Sequence, residues 1–389
     1  MPRTAFFQPV SAGVLTALVG FASSFAVVLA GLRGAGASET EAASGLFALC
    51  VAMGLAGVIL SLATRMPISC AWSTPGGALL AATGAPKGGF SAAVGAFLIV
   101  GLAVVAAGLV RPLGRAVAAI PGSIANAMLA GVLFGLCLAP VKALGLEPLS
   151  AAIVLAVWIL VGRWKRLFAT PAAAIAAAVV IGLKAPTGGL GDGHVMPDLV
   201  FVTPQFSLDA AIGIALPLFL VTMASQNLPG LAVLATFGFK PKPGPLVAAT
   251  GLFALAAAPF GGHAVNLSAI TAALCASPDA APDPSKRWIA AATAGIVYIA
   301  LGLVAGIATR LVAASPVLIE AVAGLALLGA FGGALKTALA DEEEREAAIV
   351  AFLFAASGQN FLHVGGAFWG LVAGGAMYAL KRLTVAKGR

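Results

Sequence analysis

Two stretches of this chain are written in the same grammar, and neither can be an ordinary membrane-crossing helix. The first, from Pro67 to Gly84, reads P-I-S-C-A-W-S-T-P-G-G-A-L-L-A-A-T-G. The second, from Pro259 to Ala276, reads P-F-G-G-H-A-V-N-L-S-A-I-T-A-A-L-C-A. Gly261, Gly262 and the β-branched Val265 disfavour helix, so Pro259 to Val265 is expected to be extended. Asn266 then supplies the N-cap of a short apolar helix. Thr74 is its counterpart, with Pro75 at the first helical position, where a missing N–H costs nothing. In lipid, irregular backbone of this kind survives only where protein buries it or where it lines a cavity. A pair of broken segments at matching places in two halves points to a transporter's binding site.

The sequence around them is that of a membrane protein. Of 389 residues 61% are hydrophobic and only 9% charged, with a mean hydropathy of +1.06. Apolar segments follow one another, most of them long enough for about 30 Å of hydrocarbon, the sixth, seventh and thirteenth being short. In the first half they are Val10–Leu32, Ala42–Ala63, the broken Pro67–Gly84, Phe90–Val110, Ile120–Leu144, Pro148–Gly162 and Thr170–Leu183. A polar linker rich in Gly, Pro and Asp occupies 184–207. The second half gives Leu208–Ala235, Gly244–Ala258, the broken Pro259–Ala276, Lys286–Thr309, Pro316–Leu335, Ala347–Phe361 and Val364–Leu380. The expected fold is therefore an all-α polytopic membrane protein of fourteen segments.

Charge supports the count. With both termini inside, only Arg33, Lys87, Lys142, Lys184 and Arg310 fall outside, and every other Lys and Arg is cytoplasmic. Seven segments per half insert the halves in opposite orientation, which makes the repeat inverted. The net charge of +8 sits in short loops and does not indicate nucleic acid. Cys50, Cys70, Cys137 and Cys275 are scattered, so neither a disulfide framework nor a metal or other cofactor is expected.

Polar groups at membrane depth are few. Thr222, Ser225, Gln226 and Asn227 share about two turns of the eighth segment beside Pro229 and Gly230, which favours a ligand contact over helix–helix glue. Isolated Asn126 and Asn360 read as packing amides, and His194 and His363 as loop residues. His263 lies in the extended part of the tenth segment. It is either a proton carrier, with an unperturbed pKa of about 6.5, or a structural histidine bonded to a carbonyl. No acidic residue falls at the midplane; Asp209 and Glu320 lie near the outer surface. Two helix N-termini converging on Ser, Thr, Gln, Asn and His suit an anion. Trp72, Phe219 and Phe260 are close enough in sequence to receive an apolar body.

With these residues placed, the chain resembles the benzoate/proton symporter family. The resemblance covers essentially the whole chain. It rests on L-P-L-F-L-V-T-M-A-S-Q-N-L-P-G from Leu216 to Gly230, S-T-P-G-G-A-L-L from Ser73 to Leu80, I-P-G-S-I-A-N-A-M-L-A-G from Ile120 to Gly131, and F-G-G-H-A-V-N-L-S-A-I from Phe260 to Ile270. It implies the fold of uracil permeases and sulfate-type anion carriers. In that fold a core domain (1–113 and 208–312) moves, elevator-like, against a gate domain (114–185 and 313–389), with 186–207 as an external linker. Nucleobase permeases carry a Glu where this chain has Ser225-Gln226-Asn227, and that departure favours a carboxylate substrate over a nucleobase.

The expected function is import of benzoate or a related aromatic carboxylate with a proton across the cell inner membrane. The expected binding residues are Ser73, Thr74, Gly76, Ser225, Gln226, Asn227, Asn266, Leu267 and Ser268, with His263 as the proton-coupling candidate. Partners would be the anion, the proton, membrane lipid and a second copy paired through the gate domain. The rivals are a nucleobase permease, an inorganic-anion carrier of the same fold, and a channel or scaffold. Enzyme chemistry is not expected, because no nucleophile–base pair or metal cluster can be read.

Overall fold

The computed structural model describes residues 4–110, 112, 114–115, 121–184, 196–361 and 364–387. His194 and His363 lie outside them. Among the described residues, eight helices are long and apolar enough to cross a membrane, and a ninth if one bent pair counts as a single span.

The first half contains α1 (Thr4–Gly34), α2 (Glu39–Thr64), strand β1 (Cys70–Trp72), the half-helix α3 (Thr74–Thr83) and α4 (Gly89–Leu109). Next come α5 (Gly122–Cys137), α6 (Ala139–Leu146), α7 (Pro148–Trp164) and α8 (Ala169–Lys184), the last two joined by a single turn, Arg166–Phe168. The second half opens with α9 (Leu208–Thr236) and α10 (Pro243–Ala257), followed by β2 (Val265–Leu267) and the half-helix α11 (Ile270–Ala276). It ends with α12 (Trp288–Gly302), α13 (Ala305–Ala314), α14 (Pro316–Ala338), α15 (Arg345–Ala356), the strand pair β3 (Asn360–Phe361) and β4 (Val364–Gly365), and α16 (Gly366–Lys387).

Local chemistry explains most boundaries. Ser38 opens α2 with a capping box: its Oγ accepts the Glu41 N–H and the Glu41 carboxylate accepts the Ser38 N–H at 2.8 Å. Two wide π turns interrupt α9, at Ala211–Ala215 and Met223–Asn227. Each lies just before a proline, Pro217 or Pro229, whose ring cannot donate to the carbonyl one turn back and crowds it.

Two expectations are corrected. The eleventh segment does not run unbroken to Thr309, because α12 ends at Gly302 and the chain bends by 56° into α13. A Cβ at Gly302 would meet the Cys50 Cβ at 2.7 Å, so α2 is allowed to press against this corner. The stretch after Pro259 is not extended throughout. Ala258–Phe260 makes a tight turn, Gly261 takes φ +90°, and the strand begins only at Val265.

The helices pack in two groups. Around α1, α2 and α4 gather α3, α10 and α12; around α5 gather α14, α15 and α16, with α6, α7 and α8 alongside. The α2–α12 crossing is close because a Cβ at Gly54 would stand 2.5 Å from the Gly295 carbonyl, and one at Gly295 2.5 Å from that of Gly54. The groups meet chiefly where α1 passes α14 and α3 passes α5. That cleft holds the candidate site.

Candidate functional site

The two broken segments join as an antiparallel ladder, with Cys70 opposite Leu267, Ala71 opposite Asn266 and Trp72 opposite Val265. Two further bonds extend it: Ser73 N–H to the Ala264 carbonyl at 3.2 Å, and Ser268 N–H to the Ser69 carbonyl at 2.9 Å. A half-helix leaves each end. Ser73 Oγ accepts the Gly76 N–H at 3.1 Å, and Ser268 Oγ accepts the Thr271 N–H at 3.2 Å. The capping residues are thus Ser73 and Ser268, where the sequence had suggested Thr74 and Asn266. Asn266 cannot cap, because it is a rung of the ladder with extended backbone; its amide donates to the Leu267 carbonyl at 3.0 Å instead. Thr74 is the first helical residue and Pro75 the second, one place later than the sequence suggests.

Both half-helices present their first residues to a cavity of about 470 Å³. One wall comes from α1 (Gly20, Ser23, Ser24) together with Thr74, Gln226 and Ser268; the facing wall comes from Trp158, Arg166 and Thr170 and from α14 between Leu325 and Ala330. Gln226 is half-buried, and among the described residues its amide has no protein partner. Thr74 likewise keeps an uncommitted hydroxyl and N–H, because Ser73 engages the N–H groups of Gly76 and Gly77. The cavity therefore offers donors of the kind a carboxylate accepts.

Its apolar side is aromatic. The Trp72 indole donates to Ser24 Oγ at 2.9 Å, and its ring lies 5.7 Å from Phe21 and 6.4 Å from Tyr298. The Tyr298 hydroxyl and the Thr271 methyl both crowd Gly20, so closely that no Cβ would fit there. Thr271 also shares a 2.7 Å bond with Ser69, which ties the second half-helix to the first broken segment. Among the described residues, no carboxylate lines the cavity, and no group of three or more His, Cys, Asp or Glu could hold a metal.

Of the expected binding residues, Thr74, Gln226 and Ser268 line this cavity. Ser73 lies directly behind, fully buried, and receives a 3.0 Å bond from Thr222 Oγ1. Gly76 follows in the same turn, where a Cβ would come 2.5 Å from Leu218 Cδ1. Asn227 turns away and accepts the Leu267 N–H at 2.9 Å, so these two residues bolt α9 to β2. Asn266 is fully buried, and its Oδ1 has no partner. Ser225 points toward Asn126 and α5, with its hydroxyl on the Val221 carbonyl at 2.6 Å. His263 is buried behind the ladder with Nε2 2.9 Å from the Ser73 carbonyl oxygen. Phe219 and Phe260 do not line the cavity, whereas Trp72 does.

The sequence profile described as BenE, benzoate membrane transport protein, matches residues 5–380. The chain belongs to this benzoate membrane transport family. Its relatives include the inner membrane protein YdcO of Escherichia coli strain K12, 41% identical over 387 residues and 97% of each chain. Another is the benzoate membrane transport protein of Acinetobacter baylyi, 31% identical over 371 residues, covering 94% of this chain and 93% of that one. Solved structures share the fold of this family member at low identity. The transmembrane domain of the cyanobacterial bicarbonate transporter BicA aligns with a TM-score of 0.61 at 15% identity, over 94% of this chain and 96% of that one. SLC26A9 aligns with a TM-score of 0.67 at 14% identity, over 99% of this chain and 66% of that one.

For this benzoate-transport-family chain, Tyr298, Trp158 and Arg166 reach the cavity without any signal in their own neighbourhoods. Ser23 and Ser24 also line it, in a stretch, Phe21-Ala22-Ser23-Ser24, that echoes Met223-Ala224-Ser225-Gln226.

Proposed function

We propose that this protein is a secondary transporter of the cell inner membrane that imports benzoate, or a related aromatic carboxylate, together with a proton. One observation carries the reading: a family member's cavity pairs unpartnered donors at Thr74 and Gln226 with the Trp72–Tyr298 wall and, among the described residues, holds no carboxylate. The anion's oxygens lie toward Thr74, Gln226 and Ser268 and its ring against the aromatic wall. Ser73, Gly76, Ser225, Asn227, Asn266 and Leu267 hold those contacts in place. His263 is the proton-coupling side chain.

The fourteen segments form a seven-plus-seven inverted repeat with both termini cytoplasmic. The ladder and the matched caps at Ser73 and Ser268 support that symmetry. The packing of the helices in two groups supports a core domain moving against a gate domain. The second copy pairs through the gate. Purified protein in proteoliposomes with an imposed pH gradient tests the reading. Labelled benzoate should accumulate, substituted benzoates should compete, and uracil and sulfate should not. Uptake of uracil or sulfate in place of benzoate would overturn it in favour of a nucleobase or inorganic-anion carrier; unsaturable flux would make the protein a channel.

A further inference from the structure

Among the described residues, Arg166 is the single charged side chain on the wall of the 470 Å³ cavity. It belongs to the one-turn link Arg166–Phe168 between α7 and α8, is exposed, and makes no ion pair or hydrogen bond among the described residues. Thr74, Gln226 and Ser268, which line the same cavity, are neutral. A second cavity of about 450 Å³ occupies the far end of the same cleft, bounded again by α1, α3 and α14. Its charges are arranged differently: Arg33 is bound to Glu39 at 2.7 Å, and Lys142 shares the wall with a carboxylate, Glu320. Among the described residues, the Arg166 end thus lines its cavity with a cation and no carboxylate, whereas carboxylates accompany the cations at the far end.

We propose that Arg166 is a state-specific counter-charge for the substrate carboxylate, fixed to the gate rather than carried with the site. This rests on the aromatic-carboxylate reading and on the core–gate division above. The residues that bind the anion travel with the core, whereas Arg166 stays with α7 and α8. Its attraction therefore acts only while the loaded site faces the Arg166 end, cytoplasmic in the proposed topology. A charge felt in one state and not the other biases the equilibrium between them. Arg166 then favours the loaded carrier that opens at its own end, and sets the affinity for anions arriving or leaving there. Because the contact is solvent-exposed, it weakens with salt.

Arg166→Gln and Arg166→Lys are tested beside wild type in inside-out and right-side-out vesicles, reading the KM for labelled benzoate at low and high salt. At the Arg166 face, Arg166→Gln should raise KM roughly three- to tenfold at low salt and flatten its salt dependence. Arg166→Lys should stay near wild type, and inhibition by uncharged benzamide should not change. At the opposite face the outward-facing affinity should hold. Unchanged benzoate KM in Arg166→Gln, or equal weakening of benzamide and benzoate, overturns the proposal while benzoate transport by wild type leaves the functional reading intact. Wild-type protein that neither binds nor moves benzoate would remove both.

Discussion

His263 Nε2 lies 2.9 Å from the carbonyl oxygen of Ser73, so the tenth segment holds the residue that caps the first half-helix. A carbonyl oxygen only accepts, which makes Nε2 the protonated nitrogen in this bond. Nδ1 is buried without a partner and is the atom a second proton would join. The ring packs edge-on against Phe97 at 6.3 Å, away from the cavity.

His263→Gln preserves a donor for the Ser73 carbonyl but cannot titrate. With His263 as the proton carrier, the variant binds benzoate and exchanges it across the membrane, yet does not concentrate it. One proton per substrate allows about tenfold accumulation per unit of pH gradient, and the variant should show none of it. Counterflow and gradient-driven uptake, measured on the same vesicles, separate the two properties. Accumulation at the wild-type level would make His263 a structural brace for Ser73.

How much of this was legible in the sequence follows from how local each cause is. Pro67, Pro259 and the Gly261-Gly262 pair break helix by their own backbone chemistry, and Pro75 marks a helix start, so the two interrupted segments could be read directly. The caps could not be placed to the residue, because each half-helix starts where the ladder ends, and the register of Ala71 against Asn266 is a contact between halves. Gln226 was readable because Pro229 and its polar neighbours mark that turn. Tyr298, Trp158 and Arg166 were not, since each enters the cavity from an element whose sequence looks like any other span or loop. The bend after Gly302 also lacks a proline to announce it.

Arg287 bears on the second half-helix from behind. It is only 5% exposed, and its guanidinium donates to the carbonyls of Ala276 and Ala281 at 2.8 Å and of Pro282 at 3.3 Å. It thereby satisfies the C-terminal end of α11 and sets a positive charge there, as the helix dipole prefers. Arg287→Met should cost about 2–4 kcal/mol by leaving buried carbonyls unpaired, seen as a lower unfolding temperature in detergent. An unchanged melting profile would mean that water replaces the guanidinium.

At the other end of the molecule, Glu147 joins three elements. Lys184 holds its carboxylate at 2.8 Å and Ser315 Oγ donates to it at 3.3 Å. The hydrogen bond from Lys184 holds the carboxyl below its usual range. A lowered folded-state pKa stabilises above the unfolded value and is lost as pH falls through the folded one. Glu147→Gln should therefore destabilise by about 0.5 kcal/mol at pH 7. The difference from wild type should shrink as pH falls through and below the ordinary carboxylate pKa of about 4.3. Thermal melts of both proteins across that range provide the check, and a gap that widens in acid would contradict it.

Gln226 is where the proposed chemistry is most exposed to test. The π turn Met223–Asn227 sends Asn227 toward β2 and Gln226 toward the cavity, where its amide is left without a protein partner. Gln226→Ala should fold normally, since no internal bond is lost. It should weaken benzoate uptake about tenfold or more, because a hydrogen bond to a charged group is worth about 1.5–3 kcal/mol. Gln226→Glu should be at least as harmful, because an anionic side chain would face the substrate's own carboxylate in a partly dry site. Glu is nearly isosteric with Gln, so a defect in that variant reports charge rather than shape. Near-normal uptake by both variants, each monodisperse in detergent, would return Gln226 to helix packing and take the carboxylate out of this cavity.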